Sequence, residues 1–294
     1  MSTLRLHVGG VPEHFNMPWW LAPKQPSFTE LGIEIVWHEC PGGTGEMMQK
    51  LTAGALDIAL SLTEGTVAAI AKGAPLRILQ CYVASPLQWG IHVAANSAYQ
   101  HPQELRQARF AISRLGSGSH LMSFVEAQRQ GWLQASHAEL SFVTVGNIQG
   151  GIDALSEDRA DVFLWERFTT QPWVDQGVFR RIGICPTPWP AFVWAVREGL
   201  GEAQQQAVLR LAHWMNRFAP AFQKQSDAVQ QIAQRCQLEA KQVEQWLDIT
   251  SWNDQFQLSR SMLGNTVQTL HQLGIIDTAV EASTLAMPQA QLVE

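Results

Sequence analysis

Hydrophobic and polar positions alternate at the start of the chain, in Leu4-Arg5-Leu6-His7-Val8, and the run stops at Gly9-Gly10. That period of two predicts a strand. The same reading predicts strands at Ile33–Trp37, Asp57–Leu62, Leu76–Val83 and Trp89–Ala95. Further strands are expected at Phe110–Ser113, Leu140–Val145, Ala160–Glu166 and Phe192–Val196. Helical spacing fills the gaps. Met47, Met48, Leu51 and Leu56 mark one apolar face, and Thr63–Ala71 ends at Lys72-Gly73, a helix stop. Helices are also expected within Pro18–Leu31, from Pro102, over Leu121–Gln130 and over Gly150–Ser156. From Glu202 to Thr284 the pattern is helical and rich in Gln, Ala and Leu. Strand and helix in alternation imply an α/β fold with mainly parallel sheets. The unit near 33–62 is expected to recur near 109–166, as strand, Gly/Ser turn, helix and Asp-led strand.

Two turns stand out, Pro41-Gly42-Gly43-Thr44-Gly45-Glu46 and Leu115-Gly116-Ser117-Gly118-Ser119-His120. Each joins a predicted strand to a predicted helix. A helix start offers unpaired N–H groups and partial positive charge, so each turn is a candidate anion cradle. Glycine-rich geometry alone explains such turns equally. Neither has the Gly-Lys-Ser/Thr ending of a P-loop or the full dinucleotide fingerprint. Together they suggest a cleft gripped from both sides.

Ser61, Thr63 and Glu64 stand at the C-terminal end of a predicted parallel strand, where ligands of open sheets bind; they equally suit a helix cap. Glu166 sits between Trp165 and Phe168, and such an acid wants a cation, from a ligand or from Arg114 or Arg167. Ser113 and Arg114 form an anion clamp or a surface ion pair, with Ser117 and Ser119 as added donors. His14 shares its loop with Pro12, Asn16, Trp19 and Trp20. The chain has 12 Trp, enough to supply both core and ligand walls at Trp19, Trp20, Trp89 and Trp165.

A net charge of −6 argues against nucleic acid or an anionic membrane as partner. No apolar run reaches the length of a membrane span. No secretory leader is visible, which gives a cytoplasmic expectation, or a periplasmic one if a leader was removed. The four Cys, Cys40, Cys81, Cys185 and Cys236, are far apart and form no metal or redox motif. The nine His are scattered, and no nucleophile elbow or His-Glu-x-x-His motif occurs. No metal, cofactor or catalytic set is expected.

The chain resembles the type II periplasmic-binding-protein family, the solute-binding proteins of ABC transporters. The resemblance is carried by Gly9-Gly10, by Gly42-Gly43-Thr44-Gly45 opening a helix and by Leu51-Thr52-Ala53-Gly54-Ala55-Leu56-Asp57-Ile58-Ala59. Ser113–Ser119 and Asp161–Glu166 extend it, so that it covers residues 4 to about 200. Trp165–Thr170 is similar to a signal-less branch related to the thiamine-pyrimidine-precursor group. The resemblance implies two α/β lobes with a ligand cleft between them. Lobe 1 would be 1–85 with the return from 193 to 294, lobe 2 would be 90–187, and hinge strands would lie near 83–89 and 186–192. It implies ligand contacts at His14, Asn16, Gly43, Thr44, Ser61, Thr63, Glu64, Ser113, Arg114, Ser117, Ser119 and Glu166. The implied function is binding of a small polar organic metabolite, for transport or sensing, without catalysis. An ABC permease would be the partner if the protein is exported. The alternative is an enzyme on the same fold, with His14 or Glu166 as general base. It lacks the cysteine-rich iron motif of pyrimidine-synthase relatives. A third reading is a cytoplasmic sensor that docks a partner through Glu202–Thr284.

Overall fold

The structure is a computed structural model that describes residues 3–133 and 140–294. Contacts divide the chain into unit 1, Met1–Ser85 with Trp189–Glu294, and unit 2, Pro86–Pro188. The strands are β1 (Leu4–Gly10), β2 (Ile33–Glu39), β3 (Ile58–Leu62), β4 (Leu76–Ala94), β5 (Arg109–Ile112), β6 (Ser141–Thr144), β7 (Val162–Glu166) and β8 (Phe179–Arg197). The helices that concern the site are α1 (Met17–Leu21), α2 (Pro26–Thr29), α3 (Gly43–Thr52), α4 (Thr63–Ala71), α5 (Gly118–Arg129) and α6 (Ile148–Ser156).

In unit 1, β1 pairs in parallel with β2 from Leu4↔Ile33 to Gly10↔Glu39, and with β3 from Val8↔Ile58. The late part of β8 runs antiparallel to β3, from Ile58↔Val196 to Leu62↔Phe192. β3 is buried along Ile58–Ser61, as its largely apolar run requires of a central strand. Met47, Met48 and Leu51 give α3 its buried face, as their spacing predicts. The expected C-terminal helical region is broken into several helices. The longest is Glu202–Gln223, whose Asn216 exchanges two amide bonds with buried Gln80.

Unit 2 has the same plan. β5 pairs in parallel with β6 and β7. The late part of β4 runs antiparallel to β7, from Trp89↔Glu166 to Val93↔Val162. Each unit thus has a second–first–third order of parallel strands, followed by an antiparallel return. The third strand is Asp-led in both. Asp57 accepts the N–H of His7 at 2.9 Å and binds Arg197. Asp161 accepts the N–H of Arg109 at 2.6 Å and binds the Arg109 side chain.

The structure corrects the expected recurrence. The strand equivalent to β5 is β1, because each is flanked by its unit's other two parallel strands. The Gly/Ser turn at 115–120 is therefore equivalent to the loop after β1. The turn at 41–46 follows β2 and is equivalent to the segment after β6. Turn composition misled because glycine marks sharp geometry wherever it falls.

Strand length differs too. Leu76–Val83 and Trp89–Ala95 belong to one 19-residue strand, β4, and Phe192–Val196 is only the end of the equally long β8. Prolines hid both. Pro86 interrupts the first, and Pro186, Pro188 and Pro190 alternate through the second. Each lacks a ladder donor, but each holds itself and the preceding residue extended. Side chains serve the gaps: Thr187 Oγ1 accepts the N–H of Leu87 at 3.0 Å.

Candidate functional site

In unit 1 the chain leaves β1 through a 3-10 turn, His14–Asn16, and enters α1 with Pro18 in its first turn. His14, Phe15 and Asn16 are all buried. The Phe15 carbonyl accepts from Tyr82 Oη at 2.6 Å and from Trp252 Nε1 at 3.0 Å, which pins the loop. The His14 ring stacks on Phe15 at 4.6 Å and meets the edge of Trp246 at 4.3 Å. Burial pushes this imidazole down to about 3, so it is neutral, and its Nε2 has no partner. Asn16 Nδ2 donates to Val11 O at 2.8 Å, which fixes the amide orientation and leaves Oδ1 buried without a partner.

The β3–α4 junction adjoins this loop through Phe15, whose ring lies 4.9 Å from Phe192, opposite Leu62 in the sheet. Two predicted residues here hold hydrogen bonds within unit 1. Ser61 Oγ bonds Thr66 Oγ1 at 2.7 Å, and Thr66 donates onward to Leu62 O. Thr63 Oγ1 donates to Pro190 O at 2.5 Å. Thr44 Oγ1 accepts the N–H of Leu62 at 3.1 Å. Its methyl lies over Gly65, where a Cβ would come within 2.7 Å. Gly43 has φ +69°, a conformation that favours glycine at the start of α3.

Glu64 is only 2% exposed. Its Oε2 accepts from Trp189 Nε1 at 2.7 Å, and its Oε1 has no partner. Burial pushes the carboxyl up to about 7, against the weaker pull of its own backbone N–H and the Trp189 indole.

Unit 2 treats its predicted residues differently. Ser117 caps α5 by accepting the N–H of His120 at 3.3 Å. Ser119 Oγ accepts the N–H of Ser113 at 2.9 Å, and the two hydroxyls, Ser117 and Ser119, lie 3.1 Å apart. The turn is thus closed by its own side chains, and Arg114 is exposed beside it. Glu166 Oε2 accepts the N–H of Thr169 at 2.6 Å. Burial raises this carboxyl, opposed by the N–H groups of Thr169 and Phe168. The charge of Arg181 also favours the ionised carboxylate, and among the described residues Arg167 forms no ion pair with Glu166. Arg167 lies over the Phe168 ring at 4.9 Å instead.

Sequence reasoning missed Thr169 and Trp189, and it named Arg167 only as a cation for Glu166. Arg167 Nε and Thr169 Oγ1, next to Glu166, are buried and unpartnered. So is Nε1 of Trp89, the strand partner of Glu166, which the Trp reading did flag. Trp189 was hidden as well, since it meets Glu64 across 125 residues of chain. His92 provides a contrast with His14. Its Nδ1 bonds Phe163 O at 3.1 Å and its Nε2 bonds Thr170 Oγ1 at 2.9 Å. Among the described residues, no three His, Cys, Asp or Glu stand as metal ligands, and no helix is long and apolar enough to cross a membrane.

Residues 89–185 match the family model of Ca3427-like PBPs, PBP meaning periplasmic binding protein. The Candida albicans CA3427 gene product, described as having the generic periplasmic-binding-protein fold, is 25% identical with a TM-score of 0.88, over 99% of this chain and 98% of that one. The alkanesulfonate-binding protein SsuA from Xanthomonas axonopodis pv. citri, bound to MOPS, is 15% identical with a TM-score of 0.77, over 98% and 99%. The ligand-binding component of an ABC-type import system from Staphylococcus aureus, with zinc bound, is 14% identical with a TM-score of 0.72, over 98% and 97%. No curated protein matches the chain in sequence.

Proposed function

We propose that this chain, whose fold is of the type II periplasmic-binding-protein-like kind, binds a small polar organic metabolite and releases it unchanged. One observation carries the reading. Polar side-chain atoms are buried without a partner where the parallel strands end, in both units: Glu64 Oε1, Asn16 Oδ1 and His14 Nε2 in unit 1, and Arg167 Nε and Thr169 Oγ1 in unit 2. A buried polar group left unpaired costs about 1–3 kcal/mol. A ligand that supplies the partner recovers that cost.

The two sets differ in sense. Glu64 and Asn16 offer acceptors, and Arg167 offers a donor. A donor group on a metabolite complements the first set, and an acceptor or anionic group complements the second. SsuA, solved with MOPS, supports a small organic ligand on this fold. Transport and sensing are both served by such binding.

Native mass spectrometry of the gently purified protein, followed by identification of the released molecule, tests the reading. A single intact metabolite is the expected result, and adding it back should stabilise the fold as RT ln(1 + [L]/Kd). Glu64→Gln and Arg167→Ala are each expected to weaken its binding if the open atom of that unit meets the ligand. A protein that neither carries nor is stabilised by any metabolite would overturn the proposal. The catalytic alternative rests on one observation, the Glu64 carboxyl at about 7, where acid–base work is done. Recovery of a metabolite together with its product would favour it.

A further inference from the structure

We propose that Glu64 reads a basic nitrogen on the ligand: an ammonium, amidinium or guanidinium group. The inference rests on the binding reading above and names the ligand chemistry that unit 1 takes.

Glu64 is buried and only half used. One oxygen is held by Trp189 at 2.7 Å and the other has no partner. Among the described residues no lysine or arginine forms an ion pair with it; the influences on the carboxyl are burial, its own N–H and the Trp189 indole. A carboxylate removed from water without a cation is costly, and an arriving cation converts that cost into a charge-assisted hydrogen bond. The open atom of Asn16, in the loop after β1, is also an acceptor, because Val11 O fixes the amide. Phe15, Phe192 and Trp246 surround the adjoining loop with aromatic faces, which suit a cation or its carbon skeleton.

An anion is disfavoured at the same place. The start of α4 would attract one, but one of its N–H groups, that of Leu62, already goes to Thr44 Oγ1. A sulfonate there would face the Glu64 carboxyl. Glu166, the other candidate from sequence, already takes the N–H of Thr169 and has less need of a cation.

The test pairs probes of opposite charge on matched skeletons: benzamidine against benzenesulfonate, and butylammonium and butylguanidinium against butanesulfonate. Each is titrated by calorimetry and thermal shift. Cationic probes should bind the wild type, and Glu64→Gln should weaken them roughly 10–100-fold, the range of a charge-assisted bond. Gln can still accept from Trp189, so an unliganded melting temperature no lower than that of the wild type shows an intact fold. Trp189→Phe, which frees Oε2 without removing charge, should retain cation binding. Cation binding that survives Glu64→Gln unchanged would overturn the assignment. So would preference for the sulfonates, or failure of every cation while native mass spectrometry finds another bound metabolite. In those cases the binding reading stands and only the ligand class falls. No probe bound and no metabolite recovered would remove both.

Discussion

The two units share one strand order and one Asp-led third strand, yet they dispose of their polar side chains in opposite ways. After β5, Ser113, Ser117 and Ser119 close a turn on themselves and cap α5. After β1, the equivalent loop buries His14 and Asn16 with atoms left open. At the ends of the third strands, Glu166 takes a backbone N–H, while Glu64 takes one indole and keeps an oxygen free. Glycine and serine therefore mark a turn that is complete in itself. The open acceptors stand in the loop where the sequence motif is weaker.

The two buried histidines give the sharpest way to break this contrast. Both are held neutral by burial, at about 3 against 6.5 for the free side chain. A depressed folded value means stability that is full above 6.5 and is lost as pH falls toward 3. Each group contributes up to about 4–5 kcal/mol of that acid loss. His14→Phe and His92→Leu should both blunt it, read as urea midpoints at pH 7 and pH 4. Only His92→Leu should also cost stability at pH 7, because it leaves Phe163 O and Thr170 Oγ1 without the ring. Equal neutral-pH losses would show that His14 is paired after all.

Next in size is the pair of strand-leading aspartates. The Asp57 side chain is 6% exposed and its partner Arg197 22%. Those of Asp161 and Arg109 are 19% and 39% exposed. Removing a buried partner strands a charge, so Asp57→Ala should cost about 3 kcal/mol and Asp161→Ala about 1 kcal/mol in chemical denaturation. A reversed order would mean that exposure is not what separates the units.

Glu64 should show the opposite pH sense to the histidines. Its folded value, about 7, lies above its ordinary 4.5, so the folded state loses stability as pH rises between them. Glu64→Gln should match the wild type at pH 4 and exceed it by up to about 3 kcal/mol at pH 8. Between 4.5 and 6.5 the histidines pull the other way, so the variant must be compared with wild type at each pH. A flat difference across the range would place Glu64 in contact with water. The smallest effect concerns Ser117. Its loss as a cap should cost about 1 kcal/mol in Ser117→Ala and leave ligand affinity unchanged. A tenfold loss of affinity would return the serine turn to the binding site.

Much of the fold was legible. Leu6 and Val8 alternate as a strand should, β3 is apolar but for Ser61, and Met47, Met48 and Leu51 fall on one helical face. The long strands were not, because Pro86 and the alternating Pro186, Pro188 and Pro190 read as breaks when they are extended chain. Of the predicted site residues, Ser61 and Thr63 carry hydrogen bonds within unit 1's scaffold, and Ser117 and Ser119 do so in unit 2. Thr44 supports the site by holding Leu62.

By itself the sequence determined the alternation of strands and helices, the α/β class and the apolar faces, because those follow from local periods of 2 and 3.6 residues. It also placed Glu64, His14 and Asn16 among the candidates by their positions after strands. Which of their atoms stay open was decided only in three dimensions. The indole that takes one Glu64 oxygen comes from 125 residues away, and the ring that desolvates His14 comes from Trp246. Hydrogen-bond satisfaction is a property of neighbours in space, and a linear pattern does not encode which distant donor arrives.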